Sequence, residues 1–191
     1  MSCPEVAACT LRVVPTTLPE VVLIEPAVFR DARGFFLESY NRVALLKAGI
    51  PGVFVQDNHA HSAQGVLRGI HYQLPPHVQG KLVRVVAGEI FDVAVDLRRS
   101  SPAFGRWVGV NLSAESPQMM WVPPGFAHGY VVLSRQADVQ YKVTDFYCPN
   151  CERTIRWDDP SIGINWPLLG PPHLSSKDEH GATLVTADVF E

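Results

Sequence analysis

The segment that decides the fold class runs from residue 81 to residue 97 and reads KLVRVVAGEIFDVAVDL. Its second half alternates, with Asp92 and Asp96 on one side of a strand and four apolar residues on the other: Phe91, Val93, Val95 and Leu97. Ala87-Gly88 precedes this strand, and a turn-rich stretch at 100–105 follows it. Apolar residues at every second position, in short runs bounded by turn residues, predict the strands of an antiparallel sandwich or barrel.

The same pattern continues along the chain, with a turn signal about every ten residues. Further strand-like runs lie at 107–112, 119–122, 130–133 and 139–144. One segment reads as a helix, because Asn41 can cap residues 42–48 and Gly49 can end them. We therefore expect an all-β protein with one or two short helices.

Length and composition narrow the class of protein further. A chain of 191 residues fits one domain, 1–191, and the Pro-rich tail, 160–191, is expected to wrap around its body. A formal charge of -3 without a long basic run argues against nucleic acid or an anionic membrane as the main partner. A local basic site for an anionic small molecule stays open. No signal peptide or membrane-spanning run is evident, so we expect a soluble, cytoplasmic protein.

Four cysteines leave more than one interpretation open. Cys148-Pro-Asn-Cys151 has the spacing of a metal knuckle, but Cys3 and Cys9 are too far apart to form a second such pair. The βαβ pattern that accompanies redox CxxC motifs is absent too. Reduced thiols without a function are the favoured interpretation, and a metal or redox role is the alternative.

A histidine motif near residue 128 points to the cupin superfamily. Pro123-x-Gly125-x-x-His128 matches the second cupin motif, and cupin jelly rolls commonly hold a metal between histidines of two motifs. The first motif requires a glutamate shortly after His-x-His, but after His59-Ala60-His61 no glutamate comes before Glu89. Because a transition metal normally needs three protein ligands, we expect no metal and interpret His59 and His61 as polar loop residues.

Ionisable side chains recur on segments otherwise suited to burial. His71 lies in the strand-like run 66–73, VLRGIHYQ, and Tyr141 shares a face with apolar neighbours. A satisfied core histidine and a core tyrosine are the plain interpretations of these two. Lys81 opens a strand beside apolar residues on its own face, and buried lysines are rare without a partner or a task.

An interior that holds His71, Lys81, Tyr141 and Arg68 suits proton abstraction next to a carbonyl. The imidazole can remove the proton, a cation can stabilise the enolate, and the phenol can return a proton. The sequence contains no nucleophile elbow, phosphate loop or dinucleotide fingerprint. A reaction without a cofactor is therefore expected.

From about residue 18 to residue 178 the chain resembles the dTDP-4-dehydrorhamnose 3,5-epimerase family. The matching segments are 33–38 (RGFFLE), 56–58 (QDN), 66–73 (VLRGIHYQ), 80–84 (GKLVR), 91–98 (FDVAVDLR), 121–129 (WVPPGFAHG), 141–142 (YK) and 174–178 (LSSKD). Two features depart from the family: an extended N-terminal segment, 1–17, and the CxxC in a loop that usually lacks thiols.

The resemblance implies a cupin-type jelly roll that epimerises C3 and C5 of dTDP-4-dehydro-6-deoxy-α-D-glucose to give dTDP-4-dehydro-β-L-rhamnose. It implies His71 as the base, oriented by Asp178, with Lys81 stabilising the enolate and Tyr141 donating a proton from the opposite face. The implied substrate-binding residues are Arg33, Glu38, Gln56, Asn58, Arg68, His128, Tyr147, Glu152 and Lys177. Among these, Tyr147 would stack on the thymine.

The resemblance also implies a homodimer, a dTDP-sugar as ligand, and a place in the supply of rhamnose for cell-wall or lipopolysaccharide glycans. Three alternatives remain at this point. The first is a single-centre 3- or 5-epimerase of another dTDP-sugar pathway. The others are a non-catalytic cupin that binds a sugar nucleotide and a metal-dependent cupin oxygenase.

Overall fold

The computed structural model describes residues 11–50 and 53–191 of the chain. Cys3, Cys9 and most of the expected N-terminal extension, 1–17, lie outside these residues. The described residues form thirteen strands and two short helices, which confirms the predicted all-β class. Their bounds are β1 Arg12–Pro15, β2 Val22–Glu25, β3 Val28–Asp31, β4 Gly34–Leu37, α1 Arg42–Lys47, β5 Gln56–Ala63, β6 Leu67–Gln73, β7 Lys81–Ala87, β8 Glu89–Asp96, β9 Trp107–Ser113, β10 Met119–Val122, β11 Phe126–Val132, β12 Gln136–Val143, β13 Glu152–Thr154 and α2 Ser176–Glu179.

Two antiparallel sheets face each other. One has six strands in the order β1-β2-β10-β7-β12-β5, and the other has five in the order β13-β6-β11-β8-β9. Few neighbours in either sheet follow one another in sequence, so the chain crosses repeatedly between the sheets. This connectivity makes the molecule a jelly roll.

The main core lies between the sheets. It is built from inward-facing residues of both, including Val83, Met120 and Val139 from the six-stranded sheet and Ile90 and Leu112 from the five-stranded one. Within its strand, each of these residues belongs to the alternate set of side chains that faces the other sheet, as the sequence pattern predicts.

A second apolar layer covers the outer face of the five-stranded sheet. Val93, Val95 and Leu97 pack there against Leu184 and Ala187 of the C-terminal tail. Three parallel bridges fasten the tail to the sheet region: Val66 to His173, Ile155 to Ala182, and Arg98 to Phe190. Strand β8 is consequently covered on both faces, and the alternation within it separates two buried environments.

The individual elements follow the sequence pattern closely. Helix α1 is capped by Asn41, whose side chain accepts hydrogen bonds from Val43 N and Ala44 N at 3.0 and 3.1 Å. Lys81 begins β7, and the run 119–122 is β10. The run expected at 130–133 is the second half of a longer strand, β11. The predicted loop position of His59 and His61 is wrong, because both lie within β5.

Strands β3 and β4 form a separate two-stranded hairpin. Three large apolar side chains of this hairpin are more than half exposed: Phe29, Phe35 and Phe36. Among the residues that the structure describes, no helix has the length and apolar character needed to cross a membrane.

Candidate active site

A pocket of about 330 Å³ opens between the two sheets. Alternate residues of β5 and β11 line it, together with residues of β6, β7 and β12, and β13 and neighbouring loops complete its wall. The lining residues are Gln56, Asn58, Ala60, Arg68, His71, Tyr72, Gln73, Gln79, Lys81, His128, Tyr130, Tyr141, Tyr147, Glu152 and Lys177. All the predicted site residues are among them except Asp178, Arg33 and Glu38.

Asp178 lies directly behind the pocket wall, in contact with His71. Its Oδ1 is 2.5 Å from His71 Nε2, although the two residues are 107 positions apart in the sequence. Strand β6 supplies the histidine and α2 supplies the buried aspartate. Ser175 caps α2 and donates its hydroxyl to Asp178 Oδ2 at 2.7 Å, so the carboxylate is held on two sides.

The protonation states of this pair suit a base and its orienting partner. Burial acts to raise the pKa of Asp178, but hydrogen bonds from His71 and Ser175 outweigh it and leave that pKa below its ordinary value. Burial lowers the pKa of His71 despite its bond to Asp178. A neutral imidazole that donates Nε2–H to the carboxylate carries its lone pair on Nδ1, where it can accept a proton.

Lys81 is buried at the start of β7. Its Nζ donates a hydrogen bond to the backbone oxygen of His71 at 3.2 Å, which places the amine beside the histidine. Burial lowers the pKa of Lys81 to about 8, while Glu152 and Asp92 oppose that change. At neutral pH the amine is therefore mostly charged, and it gives up its proton far more easily than an exposed lysine does.

Tyr141 reaches the pocket from the other sheet. On β12 it pairs with Asn58 of β5 and Val83 of β7, and it points inward as the alternation predicts. Its neighbour Lys142 points outward and donates to Asp57 at 2.8 Å. Burial raises the pKa of Tyr141, so the phenol holds its proton at neutral pH.

A second histidine–carboxylate pair lies deeper between the sheets. His128 Nε2 is 2.7 Å from Asp92 Oδ1, and both side chains are buried. His128 of β11 lies opposite His71 of β6, which brings the two pairs side by side. The close approach of β6 and β11 requires glycine, because a Cβ on Gly129 would come within 2.8 Å of the Arg68 backbone oxygen.

Asp92 is buried behind the pocket through its contact with His128 and is not among the predicted site residues. Five lining residues are likewise not predicted: Ala60, Tyr72, Gln73, Gln79 and Tyr130. The alternation of β8 places Asp92 on the face opposite the apolar residues Val93 and Val95, but it does not show that this face is also buried. An acidic residue in the centre of an otherwise apolar strand was the available signal.

One end of the pocket is formed by a hydrogen-bonded group of polar residues. Glu152 accepts from Lys177 Nζ at 2.7 Å and from the Tyr147 hydroxyl at 3.1 Å. The backbone N–H of Tyr147 donates to Gln56 Oε1 at 3.2 Å, and Gln56 donates to Asn58 at 2.9 Å. These contacts hold the exposed Tyr147 ring at the pocket mouth.

Arg33 and Glu38 are not brought to this pocket. Arg33 lies at the turn of the β3–β4 hairpin, where its guanidinium pairs with Asp31 at 2.5 Å in an exposed position. Glu38 directly follows β4. Neither side chain lines the pocket of its own chain.

The structure places His59 and His61 on the outer face of the six-stranded sheet, away from the pocket. Each approaches one oxygen of Asp138, at 2.8 and 3.2 Å. Among residues 11–50 and 53–191, no three His, Cys, Asp or Glu side chains converge as metal ligands. The expectation that the reaction uses neither metal nor cofactor remains a prediction.

Comparisons with known proteins point to one family. A sequence model described as dTDP-4-dehydrorhamnose 3,5-epimerase matches residues 15–186. Among curated relatives, the dTDP-4-dehydrorhamnose 3,5-epimerase of Pseudomonas aeruginosa is 59% identical over 91% of this chain and 96% of its own. The Shigella flexneri protein of the same name is 55% identical over 94% of this chain and 99% of its own.

Solved structures agree with the sequence comparison. The dTDP-6-deoxy-D-glucose-3,5-epimerase of Legionella pneumophila Philadelphia 1, in complex with dTDP-4-keto-L-rhamnose, superposes with a TM-score of 0.91 at 49% identity, covering 93% of this chain and 95% of that one. A 3'-monoepimerase from Streptomyces bikiniensis in complex with dTDP-quinovose gives a TM-score of 0.84 at 35% identity, covering 90% and 87%. The predicted cupin-type jelly roll is thereby confirmed, and the chain belongs to the dTDP-4-dehydrorhamnose 3,5-epimerase family.

Proposed function

We propose that the chain is an isomerase that epimerises dTDP-4-dehydro-6-deoxy-α-D-glucose at C3 and C5, giving dTDP-4-dehydro-β-L-rhamnose. The observation that carries this proposal is the placement of the His71–Asp178 pair and of Tyr141 on opposite sheets around one pocket. Inversion at carbon requires a base on one face of the substrate and an acid on the other. The names of the relatives support the same reaction.

Each inversion begins with loss of a proton next to the C4 ketone. His71 Nδ1 accepts the proton, the C–H electron pair forms a carbon–carbon double bond, and the C4 oxygen becomes an enolate. The Asp178 carboxylate stabilises the resulting imidazolium through the 2.5 Å contact with Nε2. General acid–base catalysis of this kind typically contributes roughly 10² to 10⁴-fold.

Lys81 is suited to stabilise the enolate. Its buried ammonium adjoins His71, so it can donate to the C4 oxygen as negative charge develops there. One such donor in a water-poor site is typically worth about 3 kcal/mol. A charge that costs free energy to bury is partly compensated once the anionic intermediate forms beside it.

Tyr141 completes the step from the other side. The phenol donates its proton to the carbon, the enolate returns to a ketone, and the configuration is inverted. The two residues then hold one proton too many on His71 and one too few on Tyr141, and exchange with solvent restores both. No atom of the substrate is gained or lost.

The polar end of the pocket suits a nucleoside diphosphate. Tyr147 offers an exposed aromatic face for the base, and Arg68 and Lys177 bring positive charge to the diphosphate. Gln56, Asn58 and His128 offer further polar atoms for hydrogen bonds along the substrate. Glu152 cannot neutralise a phosphate, so its role is to orient Lys177 and Tyr147.

The β3–β4 hairpin supports a homodimer as the working unit. Phe29 and Phe36 are 59% and 68% exposed and lie opposite each other on one face of the hairpin, where they form an apolar surface that a second copy would bury. Phe35, 58% exposed, lies on the other face beside Arg30. Arg33 and Glu38 belong to this hairpin and the residue after it. If they bind substrate, as the family resemblance implies, they would do so in the pocket of the second copy.

The alternative function is inversion at one carbon only, in another dTDP-sugar pathway. The similarity to a 3'-monoepimerase at a TM-score of 0.84 favours keeping this alternative. A role in cell-wall or lipopolysaccharide glycans is part of the proposal and rests on the sequence resemblance. A cytoplasmic location is part of it too and rests on the sequence pattern alone.

Proton NMR of the product distinguishes the two functions. The sugar nucleotide is incubated with the protein in D₂O, and the C3 and C5 signals and their couplings are followed. Loss of both signals with inversion at both carbons supports the 3,5-epimerase. Exchange at one carbon establishes the monoepimerase, and exchange at neither contradicts both functions.

A further inference from the structure

The CxxC segment forms a tight turn at the mouth of the pocket. Cys148 directly follows Tyr147, and its backbone oxygen accepts from Cys151 N at 3.0 Å and from Glu152 N at 3.1 Å. The two sulfur atoms lie 3.0 Å apart, and both thiols are free and only half-buried. The turn therefore connects Tyr147 to Glu152 along the chain, both of which line the pocket, and it carries the two adjacent thiols.

The contact between the two thiols shifts their pKa values in opposite directions. A hydrogen bond from Cys151, helped by backbone N–H groups of Asn150 and Cys151, lowers the pKa of Cys148. The same contact raises the pKa of Cys151. The 3.0 Å separation allows either sulfur to attack the other once one of them is oxidised, and the lower pKa favours Cys148 as the first thiolate to react.

We propose that Cys148 and Cys151 are a redox modification site, which closes to an intramolecular disulfide by exchange with a low-molecular-weight disulfide such as glutathione disulfide. The Cys148 thiolate attacks one sulfur of the small disulfide, forms a mixed disulfide and releases one thiolate. Cys151 then attacks the Cys148 sulfur and releases the second thiolate. The protein loses two electrons and two protons, and the small disulfide is reduced to two thiols.

The turn is anchored unequally, so closing the bond moves one end more than the other. The Cys151 end is fixed by backbone pairing, because Cys151 O accepts from Leu74 N at 3.0 Å and β13 continues along β6. At the Cys148 end the backbone N–H groups are held by side chains, because Gln73 Oε1 accepts from Cys148 N and Gln56 Oε1 accepts from Tyr147 N, while the Cys148 oxygen bonds within the turn. Because a disulfide brings its sulfurs to about 2.05 Å, the less firmly held Tyr147–Cys148 end must adjust.

The consequence for binding rests on the proposed function of the pocket. Displacement of Tyr147 weakens its stacking on the base of the nucleotide. His71, Lys81 and Tyr141 remain fixed on their strands. Oxidation is therefore expected to raise KM roughly fivefold, the low end of what a base–aromatic stack contributes, with kcat changed by less than about twofold.

The modification itself is tested by mass spectrometry, independently of any activity. Cys3→Ser/Cys9→Ser protein is treated with glutathione disulfide, alkylated and digested. The peptide that holds Cys148 and Cys151 should lose two hydrogens, resist alkylation and recover with dithiothreitol. Matched Cys148→Ser and Cys151→Ser variants should instead retain a mixed disulfide or a free thiol. A lasting mixed disulfide, or two alkylated thiols, in the protein that keeps both cysteines would overturn the proposal.

The coupling to the pocket is tested by titrating dTDP into reduced and oxidised protein in a calorimeter. A rise in Kd of roughly fivefold on oxidation, absent from Cys148→Ser, supports the coupling. An unchanged Kd with the disulfide formed would overturn the coupling. Because this titration requires no turnover, failure of the inference is distinguishable from a failure of the proposed epimerase activity.

Discussion

His71 and Tyr141 face one pocket from opposite sheets, His71 from β6 of the five-stranded sheet and Tyr141 from β12 of the six-stranded sheet. A planar enolate held between them would present one face to the imidazole and the other to the phenol. The stereochemistry of the proposed reaction thus follows from the jelly roll, because its two sheets supply the two reacting groups.

Replacing Asp178 with asparagine is expected to lower kcat by roughly 10² to 10⁴-fold with little change in KM. The amide keeps the size of the carboxylate but cannot stabilise the His71 imidazolium, and it can hold the ring in the unproductive tautomer. Steady-state kinetics measures both parameters. Ser175→Ala serves as the control, because it removes the hydrogen bond to Asp178 Oδ2 and the side-chain cap of α2 but keeps the carboxylate beside His71, so it should cost much less. Equal losses in the two variants would contradict the assigned role of Asp178.

The value of kcat/KM should fall both below and above neutral pH. His71 must be neutral, and burial lowers its pKa, so the acid limb lies below the ordinary histidine value. Lys81 must be charged, and its pKa of about 8 places loss of activity as the pH rises through that value. Lys142→Ala, on the outer face, should leave the profile unchanged. Full activity retained well above pH 9 would contradict a required charge on Lys81.

Removing the aromatic ring at position 147 should affect binding and spare chemistry. Tyr147→Ala is expected to raise KM by about 5 to 100-fold while kcat stays nearly constant, because the stacking surface for the base is lost. Tyr147→Phe keeps the ring and loses only the hydrogen bond to Glu152, so it should resemble the unmodified protein. A large fall in kcat in Tyr147→Ala with KM unchanged would place the ring at the reacting carbons instead.

A charge on the exposed hairpin should disrupt the proposed homodimer. Phe36→Asp places a carboxylate on the apolar β3–β4 surface. Sedimentation should then show a monomer, and an activity assay should show a reduced rate. Val185→Asp is the matched control, because Val185 is an apolar residue of the C-terminal tail that is even more exposed than Phe36, 81% against 68%. A Phe36→Asp protein that sediments as the unmodified protein does would contradict the role of the hairpin.

The sequence pattern was sufficient to predict the strands with alternating apolar residues. Strands β7, β8 and β10 were evident because each presents an apolar face to a core. The sequence around His59 and His61 suggests a loop, because the residues of β5 are mostly polar on both faces. It is a strand because it pairs along its whole length with β12, and that partner cannot be inferred from β5 itself.

The sequence predicts the burial or direction of single side chains of the candidate site, but not the contacts between residues that are distant in the chain. The inward direction of Tyr141 followed from its strand parity, and burial of Lys81 followed from its apolar neighbours. The contact between His71 and Asp178 joins residues 107 positions apart, so only the family resemblance suggested it. Burial of Asp92 depends on packing over both faces of β8, which no local pattern shows.

The opposed placement of His71 and Tyr141 is tested most directly by a Tyr141→Phe variant, incubated with the sugar nucleotide in D₂O and followed by proton NMR. This variant keeps the base and loses the acid on the other face. We predict that the C3 and C5 protons exchange for deuterium with retention of configuration, because His71 returns a solvent-derived deuteron to the face from which it took the proton. Inversion at the normal rate, or loss of exchange at both carbons, would contradict the account.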